Sequence, residues 1–263
     1  MVVFFKQLFI VLPLIQLPLG LRLCIILPSF SQIRAPKYKP HVFYYFCFMY
    51  IDCHTHKIKS DADVSVLNSY PDDDLSPSNH SNLLSCGLHP WFIDSNKIQH
   101  DLARVEELCR QHKIVAIGEC GLDKNTKDIK LQKSVFEQQI ALSEQYNLPL
   151  IIHSVKTHHL ILEFEKLFKP KQTWIIHGYN GSVQTAQQFI DKDFFISFGE
   201  NLIKYPGKFK NILNQIDLNF VLLETDDSNL GIKEIYAEAA NLLGLEINVL
   251  KIKIEENFKR IFL

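Results

Sequence analysis

The chain has 263 residues, 47% of them hydrophobic and 22% charged, which suits one barrel-sized globular domain or two small ones. Five of its 28 bases (Lys6, Arg22, Arg34, Lys37 and Lys39) but none of its 29 acids fall in residues 1–48, so the remainder carries a net charge of −6. That balance argues against a protein that grips nucleic acid through a broad basic surface, though not against one that works through bound cations.

Residues 1–48 differ in composition from the rest of the chain. They are rich in Leu, Ile, Phe and Pro, and Pro13, Pro18 and Pro28 interrupt every long apolar run. The uncharged stretch 7–21 is too short and too proline-broken for a membrane helix, so no stable membrane partner is expected. Lys6 precedes an apolar segment as in a signal peptide, but no small-x-small cleavage site stands out. Met49 sits immediately before the first motif. The expectation is an appended or spuriously translated leader over 1–48 and a catalytic domain over 49–263. The six cysteines (Cys24, Cys47, Cys53, Cys86, Cys109, Cys120) form no CxxC pair, which predicts free thiols in a reducing, cytoplasmic setting.

From Met49 onward, short apolar runs alternate with longer amphipathic ones, the pattern of βα units. Strands are expected at 49–53, 83–88, 114–118, 149–152, 173–176, 194–198 and 220–224. The segment 57–82 is polar and turn-rich, with room for one short strand near 62–68. Ser95 is positioned to cap a helix running to about Gln111, with Ile98, Leu102, Val105 and Leu108 on one face. Further helices are expected over 130–146, 157–168, 183–191, 207–215, 232–243 and 247–260. The fold class is α/β, a TIM-like (β/α) barrel made irregular by one shortened unit. In such a barrel, functional groups sit at the C-terminal ends of the strands.

The strand ends carry a set of candidate ligands. The run "MYI" leads into Asp52, His54 and His56, "LLSCGL" into His89, and "IVAIG" into Glu119. "LPLII" leads into His153, "TWII" into His177 and "FVLLET" into Asp226. In an extended chain His54 and His56 share a face, with Cys53 and Thr55 on the other. Each residue alone has an ordinary explanation: a hydrogen-bonded histidine, a salt-bridging glutamate, or a helix cap at Asp226. Together they suit one or two borderline divalent ions, with a carboxylate able to bridge the pair. Two such ions roughly 3.5–4 Å apart assist displacement at phosphorus. No serine nucleophile elbow, P-loop or GxGxxG competes for the role.

Read together, "IDCHTH", "GLHPW", "GECGLD", "QKSVFEQQIALSEQYNLPLIIHS", "IIHGYNG", "LLETDD" and "NFKRIF" resemble the TatD family of metal-dependent deoxyribonucleases, among the amidohydrolase-like barrels. The resemblance covers 49–263. It implies two divalent ions (Mg, Mn or Zn), one held by His54, His56 and Asp226, and a second held by His153 and His177, with Glu119 bridging. It further implies Glu119 and Asp226 as catalytic groups, Asp226 handling a proton, and DNA, single-stranded or at its ends, as substrate for a 3'-5' exonuclease. His89 and Lys156 are candidate substrate contacts, and Trp91 a candidate for stacking a base. Three features depart from the family pattern: Lys156 stands where an arginine is common, Asp227 follows Asp226 where a small residue is common, and the region 57–82 is shorter and less regular than the usual βα unit. The opening "HTHKIKSDAD" also resembles PHP phosphoesterases, and the same metal frame would support C–N bond hydrolysis; a non-enzymatic metal scaffold would leave some ligand idle.

Overall fold

In the computed structural model the apolar runs become eight parallel strands laid side by side in chain order. They are β1 (Ile51–Thr55), β2 (Val64–Ser69), β3 (Asn82–Cys86), β4 (Ala116–Asp123), β5 (Leu150–Val155), β6 (Trp174–Ile176), β7 (Phe195–Phe198) and β8 (Val221–Leu223). The structure describes residues 48–73 and 82–263, together with four short extended segments between Phe9 and Pro28. The chain divides into two units, Met1–Phe48 and Met49–Leu263. In the first, Phe9–Val11 pairs antiparallel with Ile26–Pro28, and Ile15–Gln16 with Arg22–Leu23. Otherwise the expectations for residues 1–48, including Cys24 and Cys47, lie outside the described residues. Cys53, Cys86, Cys109 and Cys120 are free and buried.

Parallel strands covered on both faces need apolar residues throughout rather than in alternation. Every residue of β1, β4, β6, β7 and β8 is accordingly buried. The two ends of the sheet meet where Thr55 bridges to Asp226. There the Asp226 N–H donates to the His54 carbonyl at 3.0 Å, and the His56 N–H donates to the Asp226 carbonyl at 3.1 Å. The result is a nearly closed TIM-like barrel, joined at its C-terminal rim.

Helices α1 (Ile98–Arg110), α2 (Ile129–Tyr146), α3 (His158–Phe168) and α4 (Val183–Ile190) follow β3 to β6 in turn. After β7 come α5 (Asn201–Lys204) and α6 (Pro206–Leu213), and after β8 come α7 (Ile232–Leu243) and α8 (Ile247–Phe262). Among the described residues no helix separates β1 from β2 or β2 from β3, so the shortened unit falls where expected. The strand near 62–68 is a full barrel strand, β2, which brings the count to eight. The expected cap at Ser95 does not form. α1 begins at Ile98 without a side-chain cap, because Asp94 takes up the preceding turn by accepting from the Asn96 and Lys97 N–H groups. The stripe Ile98, Leu102, Val105 and Leu108 is buried as its spacing predicts.

Two buried glutamines of α2 tie the helix to strand ends. Gln139 accepts from the Leu88 N–H at 2.8 Å and donates to the Leu88 carbonyl, directly before His89. Gln132 does the same for Asp123, at 2.8 and 3.1 Å. Each pair satisfies backbone groups at a strand end that has no further ladder partner. In α8, Asn257 donates to the carbonyls of Leu218 and Val221 and so fixes the start of β8.

Candidate metal centre

Five strand-end imidazoles converge on one carboxylate. Glu119 lies within β4, is 3% exposed, and turns both oxygens toward imidazoles. Its Oε1 lies 2.7 Å from His153 Nδ1, 2.7 Å from His177 Nε2 and 3.0 Å from His89 Nε2. Its Oε2 lies 3.3 Å from His56 Nε2 and 3.5 Å from His54 Nε2. Asp226 completes that side, its Oδ1 at 3.4 Å from His56 and 3.7 Å from His54. The predicted set of His54, His56, Glu119, His153, His177 and Asp226 is therefore one constellation, and His89 belongs to it more intimately than a substrate contact would.

The local backbone explains how β4 delivers Glu119. In "GECG" the glycines at 118 and 121 adopt φ of +154° and +124°, a region that side chains avoid. A Cβ at Gly118 would come within 2.6 Å of the Ile151 carbonyl oxygen, and one at Gly121 within 2.3 Å of that of His153. Without those carbons β4 lies close against β5, which places Glu119 beside His153. Asn68 then holds the backbone, its Oδ1 accepting from the Glu119 N–H at 2.7 Å. Asp226 has φ of 53°, a left-handed conformation that aspartate tolerates better than most residues. The turn is held by Asp52, which accepts from the Thr225 N–H at 2.9 Å and hydroxyl at 2.6 Å. Asp52 thus braces the site and does not face Glu119.

Groups outside the predicted set orient the rings. Asp123 Oδ2 lies 3.2 Å from His153 Nε2, fixing the ring whose other nitrogen faces Glu119. The Trp91 indole N–H donates to that same Asp123 oxygen at 2.6 Å. Glu224 sits 3.5 Å from His177 Nδ1, held in turn by the Gly178 N–H at 2.6 Å. The Trp91 N–H donates to His89 Nδ1 at 3.1 Å, which leaves Nε2 of His89 to carry its proton toward Glu119. Asn68, Asp123 and Glu224 were not singled out from sequence; Asp123 and Glu224 stand inside the motifs "GECGLD" and "LLETDD", whose spacing was the available signal. Lys156 is exposed after β5 and bonds to Asn125 at 3.0 Å. Asp227 is exposed and pairs with Lys57 at 2.8 Å.

Electrostatics match the geometry. Burial alone would raise the Glu119 pKa, but the imidazoles, His177 first, hold its carboxyl well below the usual range. Asp226 is likewise held low: burial opposes ionisation, but the hydrogen bond from His56 and the charges of His177 and His54 outweigh it. Burial disfavours the charged form of His56, yet Asp226 and Glu119 push it up to about 9. His177 is raised well above its ordinary value by Glu119 and Glu224 against the same burial. His89 is lowered, mainly by burial.

The donor set also fits a cation. Both ring nitrogens of His54 are buried without a hydrogen-bond partner. Leaving such an atom unpaired costs about 1–3 kcal/mol, which nitrogen-to-metal coordination would remove. His54, Glu119 and His177 form one group of potential ligands, His54, His56 and Asp226 a second, and His89, Glu119 and His153 a third, each with ligand atoms within 4.8 Å of one another. Mixed imidazole and carboxylate donors suit borderline divalent ions.

Comparison with known proteins places this arrangement. The family model described as TatD related DNase matches residues 75–263. That match begins after β2 and so does not include the strand bearing His54 and His56. A Bacillus subtilis protein named uncharacterized metal-dependent hydrolase YabD is 37% identical over 147 residues, 53% of this chain and 56% of that one. An Escherichia coli protein named uncharacterized metal-dependent hydrolase YjjV is 32% identical over 150 residues, again 53% and 56%. In these matches the chain spans little more than half the length of the relatives. An Erwinia tasmaniensis protein named 3'-5' ssDNA/RNA exonuclease TatD is 25% identical over 177 residues, 65% of each chain. The crystal structure of E. coli YjjV superposes with a TM-score of 0.73, 22% identity, and coverage of 82% of this chain and 98% of that one.

Proposed function

The chain belongs to the family of TatD-related DNases, and on that premise we propose that it is a metal-dependent hydrolase that cleaves phosphodiester bonds in DNA. The observation that carries this reading is the buried Glu119, with imidazoles against both of its oxygens. His54, His56 and Asp226 would hold one divalent ion and His153 and His177 a second, with Glu119 shared between them; Mg, Mn and Zn all suit the donors. Bound there, the ions supply Lewis acidity, making water a nucleophile near neutral pH and offsetting charge on the phosphate. Asp226 is the ionised carboxylate with access to solvent, its side chain 40% exposed, and takes the proton that the attacking water loses. Asp123 and Glu224 keep the His153 and His177 rings in place. Lys156 meets the substrate as a point charge without a bidentate fork. Attack at a 3' end, in the direction carried by the name of the Erwinia relative, is part of the proposal, as is self-sufficiency of residues 49–263.

The test is hydrolysis of single-stranded DNA with and without a chelator. Activity should vanish on chelation and return with Mg²⁺, Mn²⁺ or Zn²⁺; cleavage that survives chelation rules the mechanism out. Amide hydrolysis in place of phosphodiester hydrolysis would move the protein to C–N chemistry on the same frame. The same assay on residues 49–263 alone should give the rate of the whole chain.

The imidazoles around Glu119 also imply a pH dependence. His56, pushed up to about 9, and His177, raised well above its ordinary value, favour their protonated forms, and coordination must displace those protons. Divalent-ion affinity should therefore rise from pH 7 toward 9 and protons should be released on binding. Calorimetric titration at pH 7 in two buffers of different ionisation enthalpy should give different heats. Equal heats would contradict the assignment of these imidazoles as ligands.

A further inference from the structure

Aromatic side chains crowd the rim beside the candidate ligands. Phe92 packs on His89 with ring centroids 5.4 Å apart, and Tyr70 stacks on His56 at 6.3 Å. Tyr70 and Phe92 meet each other edge-on at 5.3 Å. On the other side of His89, Trp91 meets His153 at 5.9 Å. Trp91 and Phe92 are 59% and 61% exposed. Adjacent, exposed large aromatics are costly to leave in water and mark a binding surface. The Trp91 indole is also fixed by its bond to Asp123, so its open face is set before any ligand arrives.

Beside the touching Tyr70 and Phe92 rings opens a cleft of about 360 Å³, lined also by Leu88 and by His89, which joins it to the Glu119 cluster. Its far end differs in character. There Asp72, Asp94 and Asp101 face a single ammonium, Lys97, which already pairs with Asp72 at 3.0 Å. An aromatic base can stack in this cleft, whereas a backbone phosphate at its far end would meet net negative charge. The opposite side of the rim has the Trp91 face, and Asp123 carries Asn125, which in turn holds Lys156. Stacking and positive charge lie on that side.

We propose that the cleft lined by Tyr70 and Phe92 takes the terminal nucleoside of the nucleic acid, its base unstacked from the strand, while the continuing strand leaves over Trp91 toward Lys156. The inference rests on the phosphodiesterase reading and assigns a direction to the substrate across that site. It also explains how a net-negative protein handles a polyanion: only the scissile phosphate and those on the Lys156 side need be accommodated.

The experiment compares single-stranded oligonucleotides in the metal-loaded full-length protein: one with an ordinary end, one with an abasic terminal sugar, and one with an added phosphate on the terminal sugar at the cleaved end. Phe92→Ala should raise KM on the order of tenfold to a hundredfold for the ordinary end, the range expected for one lost stacking contact, and leave the abasic substrate unchanged. The added phosphate should raise KM in the wild type, and Asp94→Asn with Asp101→Asn should relieve much of that penalty. Metal content, read by elemental analysis, should be the same in all variants. Equal KM for Phe92→Ala and wild type on the ordinary end, or indifference to the terminal phosphate, would overturn the inference while leaving the hydrolase reading intact. Absence of any metal-dependent phosphodiester cleavage in the wild type would instead remove the reading beneath it.

Discussion

Glu119→Gln should lower metal-dependent hydrolysis of single-stranded DNA by on the order of a thousandfold or more, the largest effect of any single substitution in the barrel. The side chain keeps nearly its volume, so the β4 backbone and its bond to Asn68 have no reason to move. What changes is charge. One carboxylate serves His153, His177 and His89 through one oxygen and His56 and His54 through the other. An amide replaces one oxygen with an N–H₂ group that points donors at donors, and it would no longer offset the charge of a bound divalent ion. Losing several kcal/mol of charge stabilisation in the transition state accounts for a drop of that size, because each 1.36 kcal/mol in the barrier is about tenfold in rate. Turnover and metal content measured on the same preparation check this. A Glu119→Gln protein with near-normal rate would eliminate the shared-carboxylate mechanism.

The paired substitution His54→Ala with His56→Ala should have the second-largest effect, on metal occupancy. Both rings face Glu119 Oε2 and Asp226 Oδ1. Neither nitrogen of His54 has a hydrogen-bond partner, so the fold by itself gains little from that ring beyond packing. The barrel should therefore still fold, while at least one divalent ion per chain is lost on elemental analysis. A ligand that binds only the folded state raises thermal stability by mass action. Added Mn²⁺ should then raise the melting temperature of the wild type much more than that of the double variant. Unchanged stoichiometry and an equal thermal shift would show that the two imidazoles are not ligands.

Much of this was legible before the structure. The apolar runs of the parallel strands stand out because burial on both faces favours apolar side chains, and His54, His56, Glu119, His153, His177 and Asp226 were readable as the residues that end those runs. β2 was harder: "VSVLNS" lies in a polar, turn-rich stretch with no helical periodicity after it, so periodicity alone gave it the rank of a short strand. The absent cap at Ser95 reflects a local competition, in which Asp94 closes a turn first.

The sequence by itself determined the order of strands and helices and the chemical type of each strand-end residue, because both are written in local periodicity and in the transition from apolar to polar. Only the tertiary structure decided what those residues face. That Glu119 Oε1 meets His89, that Asp123 and Glu224 orient the rings behind the ligands, that Asn68 holds the Glu119 backbone, and that Asp52 braces Thr225 all depend on register between strands and on closure at Thr55 and Asp226. The physical reason is that in a barrel a side chain's neighbours come from distant parts of the chain. Their alignment is set by strand stagger and by the close approach of β4 to β5 that Gly118 and Gly121 allow, and no local pattern encodes it.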